Sequence, residues 1–145
     1  MKNILVAVDF HSGDKIILKK AIQLAKPFKS KLWIIHIAAP NPDFVGFDAG
    51  PQTERDSRAT QLKTEHQKIQ KYSTAIQDQG LDVESLLVQG PTTETVLDEA
   101  TKLSADLIIT GHRKHGLFYK ALLGSVSSDI IKKSNIPVLV VPINE

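Results

Sequence analysis

Short apolar runs separated by helical patterns organise the chain. Four of these runs are apolar at successive positions, not at alternating ones, and they cover residues 4–8, 32–37, 107–110 and 138–141. Such runs are typical of strands that are buried on both faces. A fifth run, residues 83–88, is more polar at its start, which favours a position nearer the edge of the sheet.

Helical periodicity fills the intervals between these runs. The pattern predicts helices over residues 12–28, 55–79, 92–103 and 124–133. Ser12 is the expected N-cap of the first helix, because a serine hydroxyl accepts a backbone N–H at that position. Gly80 is expected to end the second helix. Lys132 and Lys133 suit the negative end of the fourth helix.

Strands that alternate with helices predict the α/β class. We expect right-handed crossovers, and hence a single doubly wound open sheet of five mostly parallel strands with helices on both faces. At 145 residues the chain is expected to form one domain, residues 1–145. The longest irregular stretch, residues 38–56, contains Phe44 and Phe47 and predicts a loop that folds over a site.

Composition restricts the classes of chemistry. The sequence has no cysteine, which excludes disulfides, thiolate metal sites and thiol nucleophiles and favours a cytoplasmic location. The formal net charge of +2 is too small to predict a nucleic-acid or membrane-binding surface. No apolar run in the sequence reaches the ~18 residues of a membrane span, and the apolar start is too short for a signal peptide. We therefore expect a soluble protein.

Two strand ends carry residues suited to a binding site. In open parallel sheets, ligands bind beyond the carboxyl ends of the strands. The first strand ends in Val8 and Asp9, and the fourth ends in Thr110 and Gly111. If these strands are neighbours, their ends share one crevice. Asp9 is the candidate to hold a ribose hydroxyl there, or a metal ion through water, and its alternative role is to cap the turn after the first strand.

A cationic segment and a helix start follow the fourth strand. The helix that begins at Gly124 and Ser125 presents unpaired backbone N–H groups and a positive dipole end, which favour a phosphate group. Arg113, Lys114 and Lys120 are the candidate cations beside it. Because a single helix terminus contributes only about 0.3 to 2 kcal/mol, several donors must act together to hold a nucleotide.

Some of these residues also have a structural interpretation. Gly111 suits a turn that needs positive φ as well as a close approach of a ligand. His112 and His115 are three residues apart but lack an acidic ligand on the same segment, which favours polar loop positions over a metal pair. The sequence has no Walker A motif and no nucleophile elbow, so no catalytic residue and no metal site are predicted.

The strand ends and the helix start together resemble a known family. The segments VAVDF, the HI that closes the second strand, ADLIITG, G-x12-GSVS and IPVLVVP are similar to the universal stress protein (UspA) family over essentially the whole chain. The resemblance implies a doubly wound sheet of order 3-2-1-4-5 and a homodimer. It also implies one of two classes of member, those that bind ATP and those that do not.

The ATP-binding members of that family share the motif Gly-x2-Gly-x9-Gly-Ser/Thr around the phosphates and ribose. Position 114 departs from this motif because it is lysine where the motif has its second glycine. The resemblance, together with the strand-end positions, assigns an ATP site, with or without Mg²⁺, to the following residues: Val8, Asp9, Ile37, Thr110, Gly111, Arg113, Lys114, Gly124, Ser125 and Val126.

Two functions remain open at this stage. The first is a nucleotide-binding regulatory protein of the stress response, in which ATP stabilises one arrangement of the loop at residues 38–56 and of the dimer surface. The second is a dimeric interaction module that binds no nucleotide and acts through partner proteins, with Lys114 filling the groove. In either case the apolar edge strand predicts a homodimer through the residues Val138, Leu139, Val140 and Val141.

Overall fold

The computed structural model describes residues 1–38, 52–113 and 126–144. Strands and helices alternate along these residues, as the apolar runs predict. The elements are β1 (Asn3–Ala7), α1 (Asp14–Phe28), β2 (Lys31–Ala38), α2 (Gln52–Gln77), β3 (Val83–Gln89), α3 (Thr92–Lys102), β4 (Leu107–Arg113), α4 (Val126–Lys133) and β5 (Val138–Ile143).

The strands form one parallel sheet of order β3-β2-β1-β4-β5, which confirms the predicted fold class. β1 lies at the centre, where Ile4 pairs with Leu32 of β2 on one side and with Leu107 of β4 on the other. The strand order reverses between β1 and β4. β3, the most polar of the strands at its start, lies at an edge as predicted.

Each face of the sheet buries its own apolar core. Even-numbered residues of β1, such as Ile4 and Val6, pack with α1 and α2, whereas Leu5 packs with α3 and α4. Continuous apolar runs are therefore required in the central strands, because both sides of each strand are covered. None of the helices in the described ranges is long and apolar enough to cross a lipid bilayer.

The boundaries of two helices differ from the predicted ones. α1 begins at Asp14 with Gly13 at its N-cap and no side-chain capping bond, so the prediction that Ser12 caps this helix is wrong. α2 begins at Gln52, so residues 52–56 of the predicted loop are helical. Ala38, the first residue of the predicted loop, belongs to β2, and residues 39–51, including Phe44 and Phe47, lie outside the described residues.

β4 and β5 extend further than their apolar runs. β4 continues to Arg113, where it pairs with Ile143, and β5 continues through Pro142. His112 is therefore a strand residue and not the predicted loop residue. Proline is tolerated in β5 because this strand lies at the edge of the sheet, where a missing N–H leaves no neighbouring carbonyl unpaired on the open side.

Candidate functional site

A cavity of about 280 Å³ opens at the carboxyl ends of β1 and β4, beside the start of α4. This is the edge of the sheet where the strand order reverses, as expected for ligand sites in doubly wound folds. The residues predicted from the sequence that line this cavity are Val8, Asp9, Thr110, Gly111, Arg113 and Val126.

Four of the predicted site residues are not among these lining residues. Ile37 is half-buried and packs against the core cluster between the sheet and the helices α3 and α4, which includes Ile35 and Val96. Lys114, Gly124 and Ser125 lie outside the described residues, as do Lys120 and His115.

Asp9 and Arg113 form an ion pair at the rim of this cavity. Nη2 of Arg113 lies 3.4 Å from Oδ1 and 3.3 Å from Oδ2 of Asp9. The Arg113 side chain is 26% exposed and that of Asp9 is 58% exposed. Asp9 also accepts a hydrogen bond from the backbone N–H of His11 at 3.1 Å. The carboxylate and the guanidinium are thus held together across the carboxyl ends of β1 and β4.

Gly111 lets two isoleucine side chains pack closely against β4. Its backbone is in a strand, and its φ is not positive, so the interpretation as a turn residue is wrong. A Cβ at this position would lie 2.6 Å from Cδ1 of Ile17 and 2.7 Å from Cδ1 of Ile143. Both isoleucines line the cavity, so their methyl groups occupy the space beside Gly111.

The first turn of α4 is anchored to the same strand. The hydroxyl of Ser127 donates a hydrogen bond of 2.6 Å to the carbonyl oxygen of Gly111. This contact holds the amino-terminal end of α4, with its positive dipole, against the end of β4. Ser127 was not predicted as a site residue, although it is the last residue of the GSVS segment. Ile17, Thr92 and Ile143 also line the cavity without having been predicted.

A second carboxylate, Asp14, organises the turn between β1 and α1. Asp14 is 1% exposed. It accepts hydrogen bonds from the backbone N–H of Asp9 at 3.2 Å, from that of Phe10 at 2.8 Å and from the Tyr72 hydroxyl at 2.9 Å. Phe10 has a φ of 64°, a left-handed conformation that is costly for a bulky residue. The three donors therefore fix a strained turn beside the cavity.

Burial also changes the acid–base properties of this cluster. Desolvation raises the pKa of the Asp14 carboxyl above its ordinary value, and the nearby charge of Asp9 raises it further. The bonds from the Asp9 and Phe10 amides and from Tyr72 act in the opposite direction. Desolvation, together with the charge of Asp14, raises the pKa of Tyr72, which therefore remains a donor at neutral pH.

His36 lies on the α2 side of the same sheet edge. Its Nδ1 lies 2.9 Å from the carbonyl oxygen of Val8, so that nitrogen carries the proton. Its Nε2 is 4.0 Å from Oε1 of Glu65, and the ring of Phe10 packs on the imidazole with 4.1 Å between centroids. The prediction of an interior histidine with a hydrogen-bonded ring is confirmed for Nδ1.

Within the described residues, no cluster of three or more His, Cys, Asp or Glu side chains is placed to hold a metal ion. The described cavity lining offers a different set of groups. These are one carboxylate, one guanidinium, the imidazole of His112, the hydroxyls of Thr92, Thr110 and Ser127, and apolar walls. Hydroxyl and carboxylate groups suit a sugar, and a guanidinium beside a helix start suits a phosphate group.

Comparison with solved structures agrees with the fold. The structure of protein MJ0577 superposes with a TM-score of 0.78 at 26% identity, covering 98% of this chain and 96% of that one. A universal stress protein from Archaeoglobus fulgidus has a TM-score of 0.71 at 23% identity. The match covers 97% of this chain but only 44% of the Archaeoglobus chain.

Other similar structures contain nucleotides. Three universal stress proteins, 18% to 20% identical and with TM-scores of 0.65 to 0.73, match 97% or more of this chain. One was solved in complex with cAMP and one, from Archaeoglobus fulgidus, with dAMP. The third, from Arabidopsis thaliana, has AMP bound.

Sequence comparison gives the same assignment. Universal stress protein MJ0531 of Methanocaldococcus jannaschii is 30% identical over 141 residues, which cover 97% of this chain and 81% of the relative. The family model described as "Universal stress protein family" matches residues 1–142. The resemblance inferred from the strand ends and the GSVS segment is therefore confirmed: this chain belongs to the universal stress protein family.

Proposed function

We propose that the protein binds an adenine nucleotide, ATP foremost, in the cavity at the ends of β1 and β4. The observation on which this proposal depends is that Asp9, Arg113 and the start of α4 border one cavity. Asp9 would accept hydrogen bonds from ribose hydroxyls. Arg113 and the amino-terminal turn of α4 would face the phosphates.

The cavity supports this proposal by its shape as well as its charges. The cavity combines an apolar wall, where Ile17 and Ile143 pack against Gly111, with the charged pair of Asp9 and Arg113 at its rim. Its volume of about 280 Å³, formed by the described residues, is close to the lower end of the roughly 300–1,000 Å³ typical of small-molecule sites. The adenine nucleotides found in similar structures support the same ligand class.

In this proposal the protein acts by binding and not by turnover. ATP, with or without Mg²⁺, would stabilise one arrangement of the loop that follows β2 and of the dimer surface, because a ligand shifts a conformational equilibrium through its differential affinity. A regulatory role in the stress response follows from the family. The lack of cysteine supports a cytoplasmic location.

Lys114 decides whether ATP is the ligand. We expect its ammonium group to reach a β- or γ-phosphate as a point charge, since hydrogen bonds to charged groups are worth roughly 1.5 to 3 kcal/mol. ATP should then bind in the micromolar range, and Lys114→Ala should weaken binding by roughly ten- to a hundredfold. Adenosine, which has no phosphate, should serve as the control ligand and bind both proteins almost equally.

Isothermal titration calorimetry of the wild type, Lys114→Ala and Lys114→Gly separates this proposal from the interaction-module alternative. If Lys114 fills the groove, the wild type will bind no ATP and Lys114→Gly will gain affinity. Tighter binding of ATP by the glycine variant than by the wild type contradicts the proposed role of Lys114.

We also propose that the protein is a homodimer through β5. In the described sheet β5 is an edge strand, and Val138, Leu139 and Val140 on it are half-buried. An apolar edge of this kind needs a partner or a cover, and antiparallel pairing about a two-fold axis satisfies both copies. Pro137 and Pro142 lack N–H donors, so they would limit the length of the shared ladder.

Analytical ultracentrifugation tests the dimer. Val140→Arg should convert the protein to monomers, because it places a charge within the paired edge. Phe28→Arg is the matched control, since Phe28 is an exposed apolar residue on α1, 56% exposed, and not on β5. The control should remain a dimer. A wild-type protein that sediments as a monomer at micromolar concentration would rule out this proposal.

A further inference from the structure

The ion pair at the cavity rim joins two groups that would bind different parts of a nucleotide. In the proposed function Asp9 receives the ribose hydroxyls, whereas Arg113 receives a phosphate. In this structure Nη2 of Arg113 contacts both oxygens of the Asp9 carboxylate, at 3.4 and 3.3 Å. Before a ligand binds, Arg113 therefore covers the carboxylate oxygens that would accept the ribose hydroxyls. Asp9 in turn holds the guanidinium that would bind the phosphate.

The Asp9 carboxylate already has three partner groups, although its side chain is 58% exposed. Besides Arg113, its Oδ1 contacts the backbone N–H of His11 at 3.1 Å and Nδ1 of the same histidine at 3.1 Å. A carboxylate offers about four lone-pair sites, so two sugar hydroxyls compete with the guanidinium for them. The described cavity lining includes one carboxylate and one guanidinium, and their pairing neutralises both.

We propose that the Asp9–Arg113 pair makes the binding of sugar and phosphate interdependent. A ligand's ribose hydroxyls replace the guanidinium on Asp9, and the released Arg113 turns to the ligand's phosphate. A nucleoside breaks the pair and leaves Arg113 without an anion. An inorganic polyphosphate breaks it and leaves Asp9 without a donor. Only a nucleotide provides new partners for both, so the pair selects nucleotides against each of their halves.

This inference rests on the proposed nucleotide site, but it makes a separate prediction about whether the loss of Arg113 strengthens or weakens adenosine binding. If Arg113 were only a phosphate ligand, its removal would leave nucleoside binding unchanged. In the interdependent site, a nucleoside must break the Asp9–Arg113 ion pair before it binds to the wild type. Without Arg113 there is no ion pair to break, so that free-energy cost disappears. Arg113→Ala should therefore bind adenosine about two- to fivefold more tightly than the wild type, the range that an exposed ion pair supplies.

The reciprocal change has the reciprocal effect. Asp9→Asn frees the guanidinium, so tripolyphosphate should bind about two- to fivefold more tightly, while adenosine should bind more weakly. Asp9 would also repel an anion directly, and the double variant Asp9→Asn/Arg113→Ala separates the two causes. If the effect passes through Arg113, the Asp9 substitution should change tripolyphosphate affinity little in the Arg113→Ala background.

NMR titrations of the four proteins with adenosine, tripolyphosphate and ATP test the inference. The matched control is Glu84→Gln, which breaks the Lys31–Glu84 pair; that pair is 3.2 Å apart, has side chains 26% and 55% exposed, and lies at the other end of the sheet. The control should leave all three affinities unchanged.

The results separate this inference from the proposed function. Failure of the wild type to bind ATP contradicts both. Binding of ATP together with an unchanged or weaker affinity of Arg113→Ala for adenosine overturns the interdependence and leaves the nucleotide site intact. Tighter adenosine binding by Arg113→Ala, lost in the double variant, supports it.

Discussion

Asp9 and Asp14 are five residues apart on the same β1–α1 connection, but their surroundings are opposite. The Asp9 side chain is 58% exposed and its main partner is another side chain at a cavity rim. Asp14 is 1% exposed and accepts two backbone N–H groups and a tyrosine hydroxyl. One carboxylate is available to a ligand, whereas the other is committed to the fold.

The difference explains how the site is built. In the proposed site, one task is to exchange partners when a ligand binds, which falls to Asp9, and a second task is to hold the turn at Phe10 in place. Asp14 performs that second task, because its bonds to the Asp9 and Phe10 amides stabilise the left-handed turn at Phe10. Through Tyr72 it also ties the turn to α2. The carboxylate of Asp9 at the cavity rim is thus positioned by the buried one.

The largest expected effect comes from removing the buried carboxylate. Asp14→Ala leaves the N–H groups of Asp9 and Phe10 and the Tyr72 hydroxyl without their acceptor. Unsatisfied buried donors cost about 1 to 3 kcal/mol each when they find no water, so we expect the free energy of unfolding to fall by about 2 to 4 kcal/mol in total. Urea denaturation monitored by circular dichroism measures this loss.

Asp9→Ala is the matched control for that experiment. The Asp9–Arg113 ion pair is exposed, so the loss of the Asp9 carboxylate should change the free energy of unfolding by about 0.5 kcal/mol or less. Equal destabilisation by the two alanine substitutions would contradict the division of roles between the carboxylates.

The contrast between these two aspartates also shows what the sequence could predict. Asp9 was identified because it follows a continuous apolar run, and a strand end is where doubly wound sheets place ligands. The importance of Asp14 was not predicted because it depends on Tyr72, which is 58 residues away along the chain. Ser12, with the better local capping side chain, was preferred instead.

A similar limit applies to Ile37, whose place in the nucleotide site stays a prediction. In a strand that is buried on both faces, the hydrophobic pattern does not reveal which residues point to which side. His36 faces Phe10 near the α1 and α2 side, whereas its neighbour Ile37 packs toward α3. The strand was predicted correctly. Which face of the sheet each of its last side chains points to depends on which helices cover that face, and the local sequence does not show this.

The polar end of β4 was missed for a related reason. His112 and Arg113 lack strand-like apolar character, and they are held in β4 by pairing with Pro142 and Ile143 of β5. Such pairing is a long-range property that local composition does not indicate. The cavity depends on it, because it carries Arg113 to within reach of Asp9.

An intermediate effect is expected from Tyr72→Phe. This variant removes one of the three donors to Asp14 and keeps the aromatic packing, so the free energy of unfolding should fall by about 1 kcal/mol. Thr101→Val, which removes an exposed hydroxyl bond within α3, is the matched control and should change the stability less. A Tyr72→Phe protein as stable as the wild type would indicate that the hydroxyl contributes nothing.

The smallest expected effect is the part of the free energy of unfolding that depends on whether the Asp14 carboxyl is protonated. Its pKa in the folded protein is raised, mainly by burial, above the ordinary value of 3.8. The folded state therefore holds this proton more tightly than the unfolded state does. The resulting stabilisation is complete below pH 3.8 and is lost as the pH rises through the raised pKa.

Urea denaturation of the wild type and Asp14→Asn across this pH range isolates that contribution. Because the asparagine does not titrate, the stability of the wild type relative to the variant should decline as the pH rises above 3.8. In Tyr72→Phe the decline should extend to higher pH, since the lost Tyr72 bond is one of the interactions that lower the pKa of Asp14. A relative stability that instead increases with pH would mean that the three hydrogen bonds outweigh the desolvation of the carboxylate.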